Sequence, residues 1–208
     1  MAVKIKVCGM KHPDNIAAVT ALDVHYIGFI FYEKSKRFVG DANRKYIKDL
    51  KGIIKVGVFV NASLPEICHK IDEFNLNAVQ LHGDENPQFC EELKQHTAVT
   101  VIKAFGIDQD FDWSVLDAYV GAVDFFLFDT KSSSYGGTGM RFDWSLLHQY
   151  KLECPYFLSG GLDVDSVEDA LQANDPRLYA LDLNSKFEVE PGLKDIDLLA
   201  RSINSIKK

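Results

Sequence analysis

Short apolar runs recur along the chain, each separated from the next by a stretch of helical pattern. The runs are Val3–Cys8, Tyr26–Phe31, Ile54–Val60, Ala78–His82, Thr100–Phe105, Phe125–Asp129, Tyr156–Ser159 and Leu178–Leu183. Most are rich in Val, Ile and Phe without strict alternation, as expected for strands covered on both faces. Helix signals fill the intervals. Pro13 sits in a first turn before Ile16, Ala17 and Val19, and Asp41 is placed to cap Ala42–Leu50. Ser63-Leu-Pro-Glu66 and Asp165-Ser-Val-Glu168 have the capping-box pattern. Further helices are expected from Asn86-Pro87, from Asp112 or Trp113, near Asp143, and over Lys194–Ile206. Repeated strand–helix units predict a parallel sheet with right-handed crossovers. Eight such units predict a closed (β/α)8 barrel, small and without large insertions, occupying residues 1–208 as one domain. The rival open sheet lacks its usual GxGxxG after the first strand, where the chain reads Cys8-Gly-Met-Lys-His-Pro13.

Composition narrows the function. The 208 residues are 47% hydrophobic and 25% charged, the profile of an ordinary globular domain. A net charge of -7 argues against nucleic acid, which needs clustered positive charge. Any anionic ligand must then be held by a local cradle. The apolar runs are far too short to cross a membrane, and Met1-Ala-Val-Lys-Ile-Lys-Val leads directly into a strand, so a cytoplasmic protein without a secretory signal is expected. Cys8, Cys68, Cys90 and Cys154 show neither CxxC nor zinc-like spacing and are expected as free thiols. Cys68 and Cys90 fall on apolar helical stripes and are expected in the core. The histidines have no metal-ligand spacing, so no metal is implied.

In a barrel, the strand ends converge on one mouth, here Cys8, Phe31, Asn61, His82, Phe105, Asp129, Ser159 and Asp182–Asn184. Asp129 closes a wholly apolar run, which suits a catalytic carboxylate; a helix cap or a salt bridge to Lys131 or Arg141 is the alternative. Cys8 ends the first strand and is followed by glycine. It is either a small core residue or a reactive thiol needing a lowered pKa. Ser159, Gly160 and Gly161 follow the seventh strand, where bare backbone N–H groups approach an anion closely. Asn184 and Ser185 follow the eighth. Barrel enzymes frequently hold phosphate between these two strands, although paired tight turns would read the same. Gly137 and Gly139, within Gly136-Gly-Thr-Gly139, are placed to add amides to that cradle or to hinge a cover over it, with a merely flexible glycine loop as the alternative. Arg37, after the second strand, offers a fork for a carboxylate. His82 is equally a ligand contact or a histidine satisfied at the rim.

In order and spacing these motifs resemble the phosphoribosylanthranilate isomerase family over essentially the whole chain. The resemblance rests on Lys6-Val-Cys-Gly9, Gly28-Phe-Ile-Phe-Tyr-Glu-Lys-Ser-Lys-Arg37, Val58-Phe-Val-Asn61, Val79-Gln-Leu-His-Gly83 and Phe128-Asp-Thr130. It continues through Gly136-Gly-Thr-Gly139, Phe142-Asp-Trp144, Leu158-Ser-Gly-Gly-Leu162, Pro191-Gly192 and Lys194-Asp195. It implies a cofactor-free Amadori rearrangement of a phosphosugar substrate, with Asp129 as general acid and Cys8 as general base. It further implies that Arg37 holds the anthranilate end, that Asp182 and His82 lie by the sugar and pocket wall, and that phosphate rests on the glycine-rich turns. One departure stands out. Where the family commonly reads Ser-Ser-Gly-Val-Glu, this chain has Asn184-Ser-Lys-Phe-Glu188, so Lys186 replaces a glycine.

Two rivals remain at this stage. A related barrel isomerase of histidine biosynthesis performs the same chemistry, but such proteins resemble fused half-barrels and use aspartate on the first strand, where this chain has Cys8. A non-catalytic phosphate-binding barrel would need neither Cys8 nor Asp129. The sequence leaves monomer and homodimer open.

Overall fold

The computed structural model describes residues 2–131, 142–172 and 174–207. Eight parallel strands close into a barrel: β1 (Lys4–Val7), β2 (Tyr26–Ile30), β3 (Ile54–Phe59), β4 (Ala78–Leu81), β5 (Thr100–Ile107), β6 (Phe125–Thr130), β7 (Tyr156–Leu158) and β8 (Leu178–Leu183). Closure is made by β1 on β8, with Lys6 opposite Asp182. The outer layer holds α1 (Pro13–Thr20), α2 (Arg44–Asp49), α3 (Leu64–Phe74), α4 (Pro87–His96), α5 (Val167–Gln172) and α6 (Ile196–Ile206). An antiparallel ribbon of β9 (Glu188–Glu190) and β10 (Leu193–Lys194) follows β8 and was not expected from the sequence.

Strand alternation divides the core in two. One set of positions, Tyr26, Val56, Ala78, Ile102, Ala104, Leu127, Phe157 and Ala180, packs with Phe125 and Tyr179 inside the barrel. The neighbouring positions, such as Val7, Phe29, Phe59, Leu81, Phe126 and Phe128, join the larger core between sheet and helices. This period of two corrects the list of mouth residues. Cys8, His82, Asp129, Ser159 and Asp182 share the inward parity. Phe31 and Phe105 do not. Phe31 stacks on Phe59 at 5.2 Å and meets Phe74 at 4.8 Å, while Phe105 meets Tyr119 and Phe126 in the outer layer. Asn61 is drawn into a loop cluster with Asp84 and Glu85.

Several helix starts also differ from expectation. Asp41 does not cap α2 with its side chain; its carbonyl accepts from Arg44 N and its carboxylate pairs with Lys70. The second capping box is set earlier. Asp163 and Ser166 exchange side-chain to backbone bonds of 2.9 Å, in place of the expected Asp165 and Glu168. The last helix starts after Asp195, whose side chain accepts from Leu198 N, because Lys194 belongs to the ribbon. Ser63 and Asn86 do cap α3 and α4, accepting from Glu66 N and Phe89 N.

After β5 and β6 the outer layer is built from 3-10 segments, Trp113–Tyr119 and Trp144–Gln149. Their sequences repeat: Phe111-Asp-Trp-Ser-Val-Leu-Asp-Ala-Tyr119 matches Phe142-Asp-Trp-Ser-Leu-Leu-His-Gln-Tyr150. In each, the aspartate accepts a backbone N–H two residues on, from Ser114 or Ser145, an Asx turn that starts a tight coil. In each, the central leucine is buried and the closing tyrosine donates to a carbonyl, Glu85 O or Cys154 O. All four cysteines are free; Cys90 is buried, whereas Cys68 is only half-buried and not in the core as expected. Among the described residues no helix is long and apolar enough to cross a membrane.

Inside the barrel Phe157 is fully buried, with Tyr26 and Phe125 each edge-on to it at 5.4 Å. Phe157→Ala is expected to cost about 3–5 kcal/mol, because the surrounding strands cannot collapse into the void. A guanidinium titration checks this as a lowered midpoint with unchanged slope.

Candidate active site

At the inward ends of β1, β4, β6 and β8 the structure gathers Cys8, His82, Asp129 and Asp182. The deepest element is an ion pair. Lys6 and Asp182 meet at 2.8 Å with side-chain exposures of 0% and 5%. Burial alone would lower the Lys6 pKa, but Asp182 and the Cys8 thiol outweigh it and hold the ammonium charged. Lys6 lies two residues before Cys8 on the same face of β1, so one cation serves both partners. The second oxygen of Asp182, Oδ1, is buried without a hydrogen-bond partner among the described residues.

Cys8 is 3% exposed. Burial raises its pKa, Lys6 opposes the rise, Asp182 adds to it, and Lys194 opposes it again. The expectation of a lowered thiol pKa is therefore corrected: desolvation outweighs the nearby cations. Gly28 on β2 makes room for the thiol. A Cβ there would stand 2.6 Å from Cys8 Sγ.

Asp129 stands on β6. Its carboxyl pKa is raised to about 6, chiefly by burial; the Thr130 N–H opposes this, Asp182 adds to it and Lys6 opposes it. The Thr130 N–H reaches Oδ1 at 2.8 Å. His82 Nε2 faces Oδ2 at 3.6 Å. Burial, with Lys103 and Lys6, lowers the His82 pKa to about 4, so the imidazole is neutral. Gln80, two residues earlier on the same face, places its amide nitrogen 2.8 Å from His82 Nδ1. With that amide assignment Nδ1 accepts and Nε2 carries the proton toward Asp129. The peptides on either side of His82 are gripped from outside the barrel. Buried Lys103 donates to Leu81 O and Gly83 O, and buried Glu85 accepts from Gly83 N.

The glycine turn after β7 packs closely against the end of β6, where Asp129 stands. Gly160 and Gly161 have φ of +84° and +70°. A Cβ on Gly160 would meet Thr130 Oγ1 at 2.4 Å and Asp129 Oδ1 at 2.8 Å, so β6 and β7 end in contact only because this residue is glycine. Ser159 is buried beside it. Asn184 and Ser185 lie at the end of the neighbouring β8, Ser185 opening the 3-10 turn Ser185–Phe187. The Asn184 side chain is turned toward Lys194 Nζ at 2.8 Å. Gly137 and Gly139 lie outside the described residues.

Arg37 forms the rim. Its Nε lies 2.9 and 3.0 Å from the two oxygens of Glu188, and Nη2 is 2.7 Å from Oε2. Its stem rests on Gly9, where a Cβ would come within 2.6 Å of Arg37 Cδ. Lys194 reaches Glu188 Oε1 at 2.6 Å, and burial lowers its pKa to about 8 against the pull of Glu188. Burial works against the Glu188 carboxylate, but Arg37 and Lys194 hold its pKa below the usual range.

Lys6, Gln80, Glu188 and Lys194 were not among the site residues expected from sequence. For Lys6 and Gln80 the signal was present, as polar residues two positions before Cys8 and His82; Gln80 is alone on an apolar strand, whereas β1 carries Lys4 as well. No cluster of three or more His, Cys, Asp or Glu groups among the described residues is arranged to hold a metal ion. A surface cleft lined by Asn61, Asp84, Glu85, Asn86, Phe89 and Glu92 sits over the loops after β3 and β4.

Comparison with known proteins agrees with the geometry. A family model described as N-(5'phosphoribosyl)anthranilate (PRA) isomerase matches residues 5–205. The N-(5'-phosphoribosyl)anthranilate isomerase of Parabacteroides distasonis is 47% identical over 205 residues, covering 97% of this chain and 92% of that protein. The crystal structure of phosphoribosyl anthranilate isomerase from Thermus thermophilus superposes with a TM-score of 0.87 at 26% identity, covering 99% of this chain and 98% of that one. A phosphoribosyl anthranilate isomerase in complex with reduced 1-(o-carboxyphenylamino)-1-deoxyribulose 5-phosphate superposes at 0.81 with 30% identity, over 99% and 98% of the two chains. On the match across residues 5–205 and the identity with its relatives, the chain belongs to the N-(5'-phosphoribosyl)anthranilate isomerase family.

Proposed function

We propose that this barrel rearranges N-(5-phosphoribosyl)anthranilate to 1-(2-carboxyphenylamino)-1-deoxyribulose 5-phosphate by general acid–base catalysis alone, with Asp129 as acid and Cys8 as base. The observation that carries the reading is the pairing, at one mouth, of a carboxyl raised to about 6 with a thiol lying against a buried ammonium. The reaction asks for nothing else. One sugar carbon is reduced as its neighbour is oxidised, so both electrons stay within the substrate and only protons move. Asp129 protonates the furanose ring oxygen, and the C1′–O bond breaks to give a Schiff base. The Cys8 thiolate removes the C2′ proton to give an enolamine, which tautomerises to the ketone. Asp182 Oδ1 is free to accept a sugar hydroxyl, and neutral His82 stands beside the acid without holding its pKa down as an imidazolium would. Gly160, Gly161, Ser159 and Ser185, at the ends of β7 and β8, are the groups we assign to phosphate. Arg37 is assigned to the anthranilate carboxylate.

Three measurements test this reading. Cys8→Ser and Asp129→Asn should each lower kcat by about 100- to 10,000-fold, the usual worth of a positioned acid or base, while binding of a phosphate-bearing product analogue persists. Unchanged turnover in either variant would end the assignment.

The acid and base also set the pH dependence. Turnover needs protonated Asp129 and ionised Cys8. Below about pH 6 Asp129 is already protonated and further acid only removes thiolate, so kcat/KM falls. Above about 6, loss of the acid's proton and gain of thiolate cancel, giving a plateau up to the thiol's pKa. Carboxyl-carbon NMR of the free protein should place the Asp129 midpoint near 6; a midpoint at the ordinary value of about 3.9 would contradict the burial argument.

Gly28→Ala tests the space around the base. Its methyl would sit 2.6 Å from Cys8 Sγ, so kcat should drop at least about tenfold with circular dichroism unchanged. Full activity in this variant would show that the thiol position is not critical.

A further inference from the structure

We infer that Glu188 is a positioning residue for substrate specificity: it holds the Arg37 guanidinium side-on, so that the free end of the fork is presented to the substrate's carboxylate. The inference rests on the functional reading above. A guanidinium has two edges able to take a carboxylate in two-point fashion, one made by Nε and one Nη, the other by the two Nη groups. Glu188 occupies the first edge, through Nε at 2.9 and 3.0 Å and Nη2 at 2.7 Å. Among the described residues Nη1 has no hydrogen-bond partner, so the second edge is left for another anion.

Glu188 is itself fixed. Its Oε1 accepts from Lys194 Nζ at 2.6 Å and from Gly192 N at 3.1 Å, and its side chain is 4% exposed. The ribbon supplies this arrangement, because Lys194 on β10 is the register partner of Glu188 on β9. Lys194 is anchored in turn by Asn15, which brackets its backbone with bonds of 2.9 and 2.8 Å. The Arg37 stem is fixed from beneath by Gly9, next to Cys8. The guanidinium is thus held on two sides beside the proposed base.

Charge supports the same role. Arg37 and Lys194 are two cations set against the single anion Glu188, so the rim keeps one net positive charge. An Arg–Glu pair alone would be neutral and would attract an anionic ring weakly. With Lys194 in place, Glu188 orients the fork without cancelling it.

The test compares N-(5-phosphoribosyl)anthranilate with N-(5-phosphoribosyl)aniline, which lacks only the carboxylate. For the wild-type protein kcat/KM should favour the carboxylated substrate. Glu188→Gln should lower kcat/KM for that substrate about 10- to 100-fold more than for the aniline compound, mainly through KM. A residue that merely supports the fold would reduce both equally, and equal loss, or no loss, overturns the inference. If Glu188→Gln fails to fold, Glu188→Asp decides: it keeps the charge, but its shorter side chain cannot reach both Nε and Nη2 of Arg37 from the same backbone. Loss of the carboxylate preference in Glu188→Asp supports the inference, and its retention overturns it. If the wild-type protein turns over neither compound, the functional reading falls, and this inference with it. Normal wild-type turnover with equal losses removes the inference alone.

Discussion

The Lys6–Asp182 pair joins the first strand of the barrel to the last, one inward position below Cys8, and takes a full ammonium out of water. Desolvating two charges costs several kcal/mol per ion, and apolar residues of similar volume are often as stable or more so. Barrel closure does not require such a pair; Ala180, Phe157 and Leu127 close the layer beneath by packing alone. The pair is explained by its neighbour. Asp182 keeps Lys6 charged in a place where burial would otherwise neutralise it, and Lys6 then opposes the rise in the Cys8 pKa. Gly28 leaves the volume that the sulfur occupies. Three strands, β1, β2 and β8, and three side chains, Lys6, Asp182 and Cys8, therefore meet around one 2.8 Å contact.

The mouth above that pair is divided between two kinds of support. The inward-facing groups are positioned by strands, which fix direction by alternation and height by register. The rim is positioned by loops, and loops need their own bonds to hold a charge still. Here the ribbon of β9 and β10 does this for Glu188, and the Asn15 bracket does it for Lys194. On the opposite side Glu85 and Lys103 do the same for the loop that carries His82, from outside the barrel wall. Both supports use buried ion pairs, where a misplaced group would be left unpaired and costly.

Much of this was legible in the sequence. Apolar runs gave the eight strands to within a residue or two, and strand ends pointed to Cys8, Asp129, His82 and Asp182. What alternation would have excluded, a list of last residues did not. Phe31, Asn61 and Phe105 end their runs on the outward parity and face helices or loops. The same alternation would have flagged Lys6 and Gln80. The ribbon was out of reach for a different reason. Glu188-Val-Glu190 and Leu193-Lys194 are too short and too polar to read as strands, and their pairing depends on contacts across the rim. The 3-10 segments read as ordinary helices in the sequence because their apolar residues suit both. The aspartate two residues before a serine is the local feature that tightens them.

Burial raises the pKa of both Asp129 and Cys8, so at neutral pH the resting protein holds the proposed acid ionised and the proposed base neutral. The form that the proposed mechanism uses differs from it by one proton moved from the thiol to the carboxyl. Its population depends on the difference between the two pKa values and not on pH. A charge that acts equally on both groups does nothing for catalysis. The cations of this site are not placed equally. Lys6 is the leading charge on Cys8 but the weakest of the influences on Asp129, and Lys194 acts on Cys8 without appearing among those on Asp129. Both lysines thus lie on the thiol's side of the mouth, contributed by β1 and by the ribbon after β8. Their asymmetric placement draws the proton toward Asp129, and this gives a physical reason for burying two ammonium groups within reach of one sulfur.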